Sequence, residues 1–414
     1  MTEHVADHQP EQAPEEALLR MLDEAHELPP WLVPLWASRH ATALGASDIT
    51  IYVHDYEQRI LVPLSQEAVG SEVLGTLAID GTVAGRVYAH SEQLTSAAPE
   101  GGTVLWTPLL DGTDRIGVLA VCFPELTDAR RLLARRLAAV TTDLILTKGA
   151  HTDVYFLARR TRPMTLAAEM QWHLLPPLTL SDPRVRVSGI LEPAYEVGGD
   201  AFDYAVNHDR AHVAIFDAMG HGLGASVMAS VTVGAYRHAR RSGVPVGDMY
   251  TLIDVAFTSQ FPDDRFVTAQ LADLHLPTGE LHLVNAGHPA PLLIRGARVV
   301  RAIGGSTTLP IGLDGPAPTI MTEFLEPGDR LLFYTDGVVD IRRGAEPLGE
   351  ARLVDLVEQE LQARLPMPEL LRRINHRLLD WRREPEGRQD DSTLLLVEWR
   401  GGNLPDYAAG SGAG

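Results

Sequence analysis

Four aspartates are the residues of this 414-residue chain best suited to chemistry. Asp200 closes Glu196-Val197-Gly198-Gly199-Asp200, and Asp217 opens Asp217-Ala218-Met219-Gly220-His221-Gly222. Asp336 sits in Tyr334-Thr335-Asp336-Gly337, and Asp390 in Gln389-Asp390-Asp391-Ser392-Thr393. Each lies at or near the end of an apolar run, so each carboxylate can emerge at a sheet edge. Where a glycine is adjacent, backbone and water can approach without a Cβ in the way. An all-oxygen donor set suits a hard cation such as Mg²⁺ or Mn²⁺, and no Cys/His spacing suits a structural zinc. One Asp-Gly alone is most often a turn; four in this order on a strand-rich background imply a site. Asp391 competes with Asp390, because adjacent strand residues point opposite ways. His221, between two glycines, is both a candidate proton donor and a helix-start turn. His288, in Gly287-His288-Pro289, reads as a structural turn residue beside the site, and Asp203 as a solvated strand residue.

The elements that must position these residues begin at about Ser181. Short apolar runs read as strands at Val185–Ile190, His212–Phe216, Phe266–Leu276, Leu281–Asn285, Leu292–Arg295, Ile320–Leu325, Arg330–Tyr334 and Ser392–Trp399. Tight turns such as Pro277-Thr278-Gly279 join most of them, which implies antiparallel sheets. Helices are expected over Leu223–Arg241, Val246–Gln260, Leu353–Leu365 and Pro368–Trp381. Helices gathered in two blocks around consecutive strands predict a two-sheet sandwich with flanking helical layers, an α+β fold over residues 181–400.

Upstream, residues 16–148 alternate helices and strands. Strands are expected at Ile49–Val53, Ile60–Leu64, Val104–Leu109 and Ile116–Val121, with Asp111-Gly112 turning the last hairpin, and Thr127-Asp128 starts a long helix. This order, with the segment Ile79-Asp80-Gly81-Thr82-Val83-Ala84-Gly85-Arg86-Val87, resembles a GAF domain and implies a small-molecule pocket or a dimer surface. Residues 149–180 read as a helical connector broken at Pro163. Beyond it Leu166, Met170 and Leu174 form one apolar stripe, suited to pairing in a homodimer or to packing on the following domain. Residues 1–15 and 401–414 are too polar or too small in side chain to fold.

A net charge of −20 argues against nucleic acid and anionic membrane as partners. No window approaches the roughly 20 apolar residues of a membrane span, and the first residues lack a signal-peptide stretch. The single cysteine, Cys122, excludes an intrachain disulfide and lies in an apolar strand, not at a nucleophile's position. The expected location is cytoplasmic.

Val197-Gly198-Gly199-Asp200-Ala201-Phe202-Asp203, Asp217-Ala218-Met219-Gly220-His221-Gly222, Asn285-Ala286-Gly287-His288-Pro289, Thr335-Asp336-Gly337 and Asp390-Asp391-Ser392-Thr393 together resemble the PPM phosphatases. The likeness is to the bacterial SpoIIE- and RsbU-like branch and covers about Leu166 to Arg400. It implies an αββα sandwich, two Mn²⁺ or Mg²⁺ ions, and removal of phosphate from serine or threonine of a regulatory protein, a STAS-type anti-anti-sigma factor. It further implies that Asp217 bridges the metals with help from the Ala218 carbonyl. Asp336 and Asp390 (or Asp391) would hold one metal, while Asp200 reaches a metal or its water. Two such cations, about 3.5–4 Å apart, activate a bridging water and clamp the phosphoryl oxygens, so no nucleophilic side chain is needed. The offset of His221 from Asp217 differs from that of the acid histidine in eukaryotic relatives. Ala201-Phe202 replaces the family's frequent Phe-Tyr, a change in packing rather than in ligands. The competing functions are a non-catalytic binding regulator and a hydrolase of small phosphoesters.

Overall fold

A computed structural model describes residues 14–64, 75–196, 198–261, 264–344, 346–381 and 390–402. The stretches expected to be unstructured, 1–15 and 401–414, lie outside these apart from their inner ends. The chain divides into two compact units, with the main boundary between Thr161 and Arg162.

The first unit runs α1 (Pro14–Ala25), α2 (Val33–Ala43), β1 (Asp48–His54), β2 (Ile60–Pro63), β3 (Leu77–Ala78), α3 (Val83–His90), β4 (Leu94–Ala97), β5 (Thr103–Asp111), β6 (Asp114–Phe123), α4 (Asp128–Gly149) and α5 (Val154–Arg159). Its strands form one six-stranded sheet in the order β3-β2-β1-β6-β5-β4. Alternation along β1 and β6 puts Ile51, Val53, Leu119 and Val121 on the face covered by α1, α2 and α4, while Leu61 and Val118 meet α3 through Val87 and Tyr88. Thr127 caps α4 as its sequence predicts, its hydroxyl accepting the Arg130 N–H at 3.3 Å. Cys122 is half-buried, not fully enclosed, because it pairs with Asp48 at the open end of β1.

The stretch expected as a connector is two short helices, one in each unit. Pro163 lacks the N–H a helix needs, so α5 ends at Arg159 and α6 (Leu166–Leu174) starts afresh behind a Thr165 cap. The expected stripe is also displaced. Leu166 is 63% exposed, and α6 instead buries Gln171 together with Ala167 and Ala168, two small side chains that let it lie close on the next helix.

The second unit continues with β7 (Thr179–Ser181), β8 (Val185–Glu192), β9 (Asp200–Asn207), β10 (Arg210–Ala218), α7 (Leu223–Arg241), α8 (Val246–Thr258), β11 (Val267–His275), β12 (Glu280–Ala286), β13 (Leu292–Arg295), β14 (Arg298–Ala302), β15 (Met321–Phe324), β16 (Arg330–Tyr334), α9 (Asp336–Val339), a two-strand turn of β17 (Arg342–Arg343) and β18 (Glu346–Pro347), α10 (Gly349–Leu361), α11 (Met367–Trp381) and β19 (Ser392–Trp399). A five-stranded sheet, β15-β12-β11-β10-β9, faces a six-stranded one, β14-β13-β16-β19-β8-β7. Phe202, Val213 and Leu283 of the first sheet pack against Val187, Phe333 and Leu395 of the second. Helices α7 and α8 cover the outer face of the five-stranded sheet through Met228, Val233, Ile253 and Phe257. Leu353, Val357, Leu370 and Ile374 of α10 and α11 cover the other. The unit is an αββα sandwich, the architecture the strand pattern predicts. Among the described residues no helix is long and apolar enough to cross a membrane.

Candidate metal centre

The five carboxylates come from both sheets and meet at one end of the sandwich. Asp200 begins β9 and Asp217 sits near the end of β10, directly opposite each other in the antiparallel register. Asp336 follows β16, and Asp390 and Asp391 precede β19, which pairs with β16. Like charges directly opposed across strands are destabilising on their own, so the site is built against local stability.

Local contacts explain why the motifs combine acids with glycines and threonines. One Asp391 oxygen accepts the backbone N–H groups of Gly198, Gly199 and Asp200 at 2.8, 2.5 and 3.2 Å. Asp391, 8% exposed, thereby holds the turn that presents Asp200. Asp390, exposed, lies close to Asp217 and Asp336. A Cβ on Gly337 would lie 1.8 Å from the Asp391 carbonyl oxygen, and one on Gly199 2.7 Å from that of Ala218. Close backbone approach excludes any larger residue at either place.

Asp200 is almost fully buried, and its Oδ2 accepts the Thr335 hydroxyl at 2.7 Å. Thr335 in turn accepts the Thr393 N–H at 3.0 Å. Neither threonine was singled out by the sequence; the only hint was that each adjoins the acidic motifs. Burial pushes the Asp200 carboxyl well above the usual carboxylate range, reinforced by Asp217 and Asp391 and opposed by the Thr393 and Thr335 hydroxyls. Burial likewise pushes Asp217 up to about 8, helped by Asp336 and Asp390 and by a hydrogen bond it donates to Asp336. Asp336 is raised by burial and by Asp390.

Burial and mutual repulsion favour the protonated forms of these groups, and a hard divalent cation is what such an all-oxygen cluster fits. Among the described residues no three acidic, imidazole or thiol groups are preassembled around one ion-sized point. The proton between Asp217 and Asp336 must leave before both carboxylates can act as ligands.

The remaining expectations divide. His221 is exposed on the turn between β10 and α7, beside Asp217 in the chain. His288 is buried, as a structural residue should be, with Nδ1 2.8 Å from the Thr268 hydroxyl. Asp203 is not solvated: it is buried beneath α7, 3.0 Å from Arg237 and 3.5 Å from Arg240. The two arginines stand on the helix face turned to β9, which sequence periodicity alone does not pair with a strand.

Residues 207–400 match the family model of stage II sporulation protein E (SpoIIE). The match lies within the second unit and likens it to that family. The chain is 23% identical over 294 residues to protein IcfG of Synechocystis, covering 63% of this chain and 43% of that relative. Among solved structures it is similar to the RsbU and RsbW domains of Rv1364c from Mycobacterium tuberculosis (TM-score 0.46, 28% identity, 53% of this chain and 63% of that one). It is also similar to the SiaA PP2C domain of Pseudomonas aeruginosa (TM-score 0.47, 20% identity, 56% and 94%). The chain thus spans less than half the length of the curated relative it matches.

Proposed function

We propose that this protein hydrolyses phosphoserine or phosphothreonine on a regulatory protein, a STAS-type anti-anti-sigma factor, using two Mn²⁺ or Mg²⁺ ions. The observation that carries the reading is the convergence of Asp200, Asp217, Asp336 and Asp390 at one sheet end. Asp217, central among them, is the bridging ligand, with the Ala218 carbonyl beside it. Asp336 and Asp390 serve one ion, and Asp200 reaches an ion or its water. When bound, such ions lower the pKa of a water and neutralise the phosphoryl oxygens. The residues themselves hold the geometry: Asp391 fixes the Gly198–Asp200 turn, and Thr335 orients Asp200. His221 is the proton donor that position allows for the leaving serine oxygen.

We also place control of activity in the first, GAF-like unit, acting through α6. Support comes from the wiring of α6 inside the second unit. The Ser226 hydroxyl on α7 lies 2.7 Å from the Gly198 carbonyl and 3.4 Å from that of Ala167, and Arg237 donates to the Leu174 carbonyl at 2.7 Å. A shift of α6 therefore reaches the turn that presents Asp200. Hydrolysis of a phosphopeptide and of a small phosphoester, each with chelator and with restored Mn²⁺, tests the function. Phosphopeptide activity that vanishes with chelator and returns with Mn²⁺ or Mg²⁺, but not zinc alone, is expected. Equal activity in metal-free buffer refutes it; activity on the small ester alone gives the small-phosphoester reading instead.

A further inference from the structure

The first unit holds a cavity of about 470 Å³, lined by α4, β5 and the loop between α3 and β4. That volume is in the range of small-molecule pockets. The loop is shaped by Ser91, the residue that caps α3, whose left-handed backbone (φ 58°) is uncommon for a residue with a Cβ. From that turn the chain brings Gln93 against β5 and α4, where its amide is fixed at both ends. Gln93 Nε2 donates to the Thr107 hydroxyl at 2.9 Å and to the Arg131 carbonyl at 3.4 Å, while Oε1 accepts Arg135 Nη2 at 3.0 Å. Pro108, Leu110 and Ala139 supply apolar wall.

Arg131 and Arg135 both line this cavity. They stand one turn apart on α4, the spacing at which like charges repel. In a chain with net charge −20 an arginine readily finds an acidic partner, as Arg237 does in Asp203 and Arg295 in Asp329. Here, among the described residues, neither guanidinium has a carboxylate within ion-pair distance, and the Arg131 side chain has no hydrogen-bond partner. Two adjacent cations therefore face the cavity uncompensated, with most of their N–H groups open. Guanidinium forks of this kind match the oxygens of a phosphate. Glu92 lines the same cavity from the loop without pairing with either arginine. An ionised carboxylate only accepts hydrogen bonds, so what it offers a ligand is a partner for hydroxyl groups.

We propose that this cavity binds a small phosphorylated sugar or polyol, its phosphate held by Arg131 and Arg135 and its hydroxyls by Glu92. A phosphate dianion neutralises both guanidiniums at once, which a single carboxylate does not. Gln93 sets the spacing of the two arginines, holding one by its backbone carbonyl and the other by its side chain. Every lining residue belongs to the first unit, so the proposal does not depend on the metal centre.

The test is calorimetric binding to the full chain with chelator present, so that no metal ion in the second unit can hold the phosphate. Ribose 5-phosphate should bind with a Kd on the order of 1 mM or lower, at least about tenfold more tightly than ribose. Combining Arg131→Gln with Arg135→Gln removes both charges and should weaken binding at least about tenfold. Arg39→Gln, at an exposed arginine elsewhere in the first unit, should leave it unchanged. Glu92→Ala should weaken ribose 5-phosphate about threefold and inorganic phosphate not at all. Should the double variant not fold, Arg131→Gln alone takes its place, since that side chain has no partner to lose. Absence of ribose 5-phosphate binding by the wild type, or wild-type affinity in the folded Gln variant, overturns the proposal. Citrate bound more tightly than ribose 5-phosphate overturns the assignment to phosphate. Unchanged affinity for the sugar phosphate in Glu92→Ala overturns the hydroxyl contact.

Discussion

Replacing Asp217 with Asn should make the metal-free protein more stable while removing its activity. In the folded chain the Asp217 carboxyl keeps its proton up to about pH 8, whereas in the unfolded chain it ionises near pH 3.9. A folded-state value raised above the unfolded one gives stability that is complete below about pH 4 and lost as pH climbs through 8. At pH 7 the unfolded state gains about 3 units of ionisation, or roughly 4 kcal/mol. Solvent access to Asp217 and sharing of the proton with Asp336 bring the expected gain to about 2–3 kcal/mol. Asn mimics the protonated carboxyl and gives the unfolded state no such advantage. In a unit of this size that gain raises the melting temperature by roughly 4–12 °C. The assay is thermal or urea unfolding with chelator at pH 5, 7 and 8.5. The difference should widen with pH and at pH 5 be about a third of its pH 7 value. With Mn²⁺ present the order should reverse, and activity should fall on the order of 10³-fold or more. A metal-free Asp217→Asn protein less stable than wild type at pH 8.5 would falsify the crowded-carboxylate argument.

Mn²⁺ uptake near pH 7 should release at least one proton, including the one shared by Asp217 and Asp336, seen as a buffer-dependent calorimetric enthalpy; buffer-independent heats contradict this. Asp390→Asn should leave the metal-free melt within about 0.5 kcal/mol and cut turnover at least about a hundredfold, roughly 2.7 kcal/mol. Asp391→Ala should lower stability by about 2–4 kcal/mol even without metal, since three buried N–H groups lose their acceptor; the opposite pattern would exchange the two roles. Asp203→Ala strands Arg237 and Arg240 and should cost about 3 kcal/mol in urea melts. A chain beginning at Arg162 should bind Mn²⁺ as the full chain does, and one beginning at Ser181, lacking α6, more weakly; equal affinity makes α6 a passive tether.

Much of this was legible because strands end where their apolar runs end. Asp217 and Asp336 follow such runs directly, and the β10 and β16 assignments needed only alternation and turns. What stayed hidden depends on partners far away in sequence. β14, Arg-Val-Val-Arg-Ala, is an edge strand exposed on most of its length, so no apolar signal marks it. The choice between Asp390 and Asp391 turns on which one caps a loop 193 positions earlier. The burial of Asp203 depends on two arginines a helix away.

The place of β19 has a consequence for biosynthesis. Among the described strands it leaves the ribosome last, yet it inserts between β16 and β8 in the middle of its sheet, with Asp390 and Asp391 just ahead of it. Until it arrives, β8 and β16 present open edges, and the Gly198–Asp200 turn lacks its clasp. Domains otherwise begin folding as their N-terminal parts emerge, but here the earlier strands wait for the final segment. A nascent or clipped chain lacking β19 therefore lacks the assembled acidic cluster. Those waiting edges are also where an arrested chain would recruit a foreign strand.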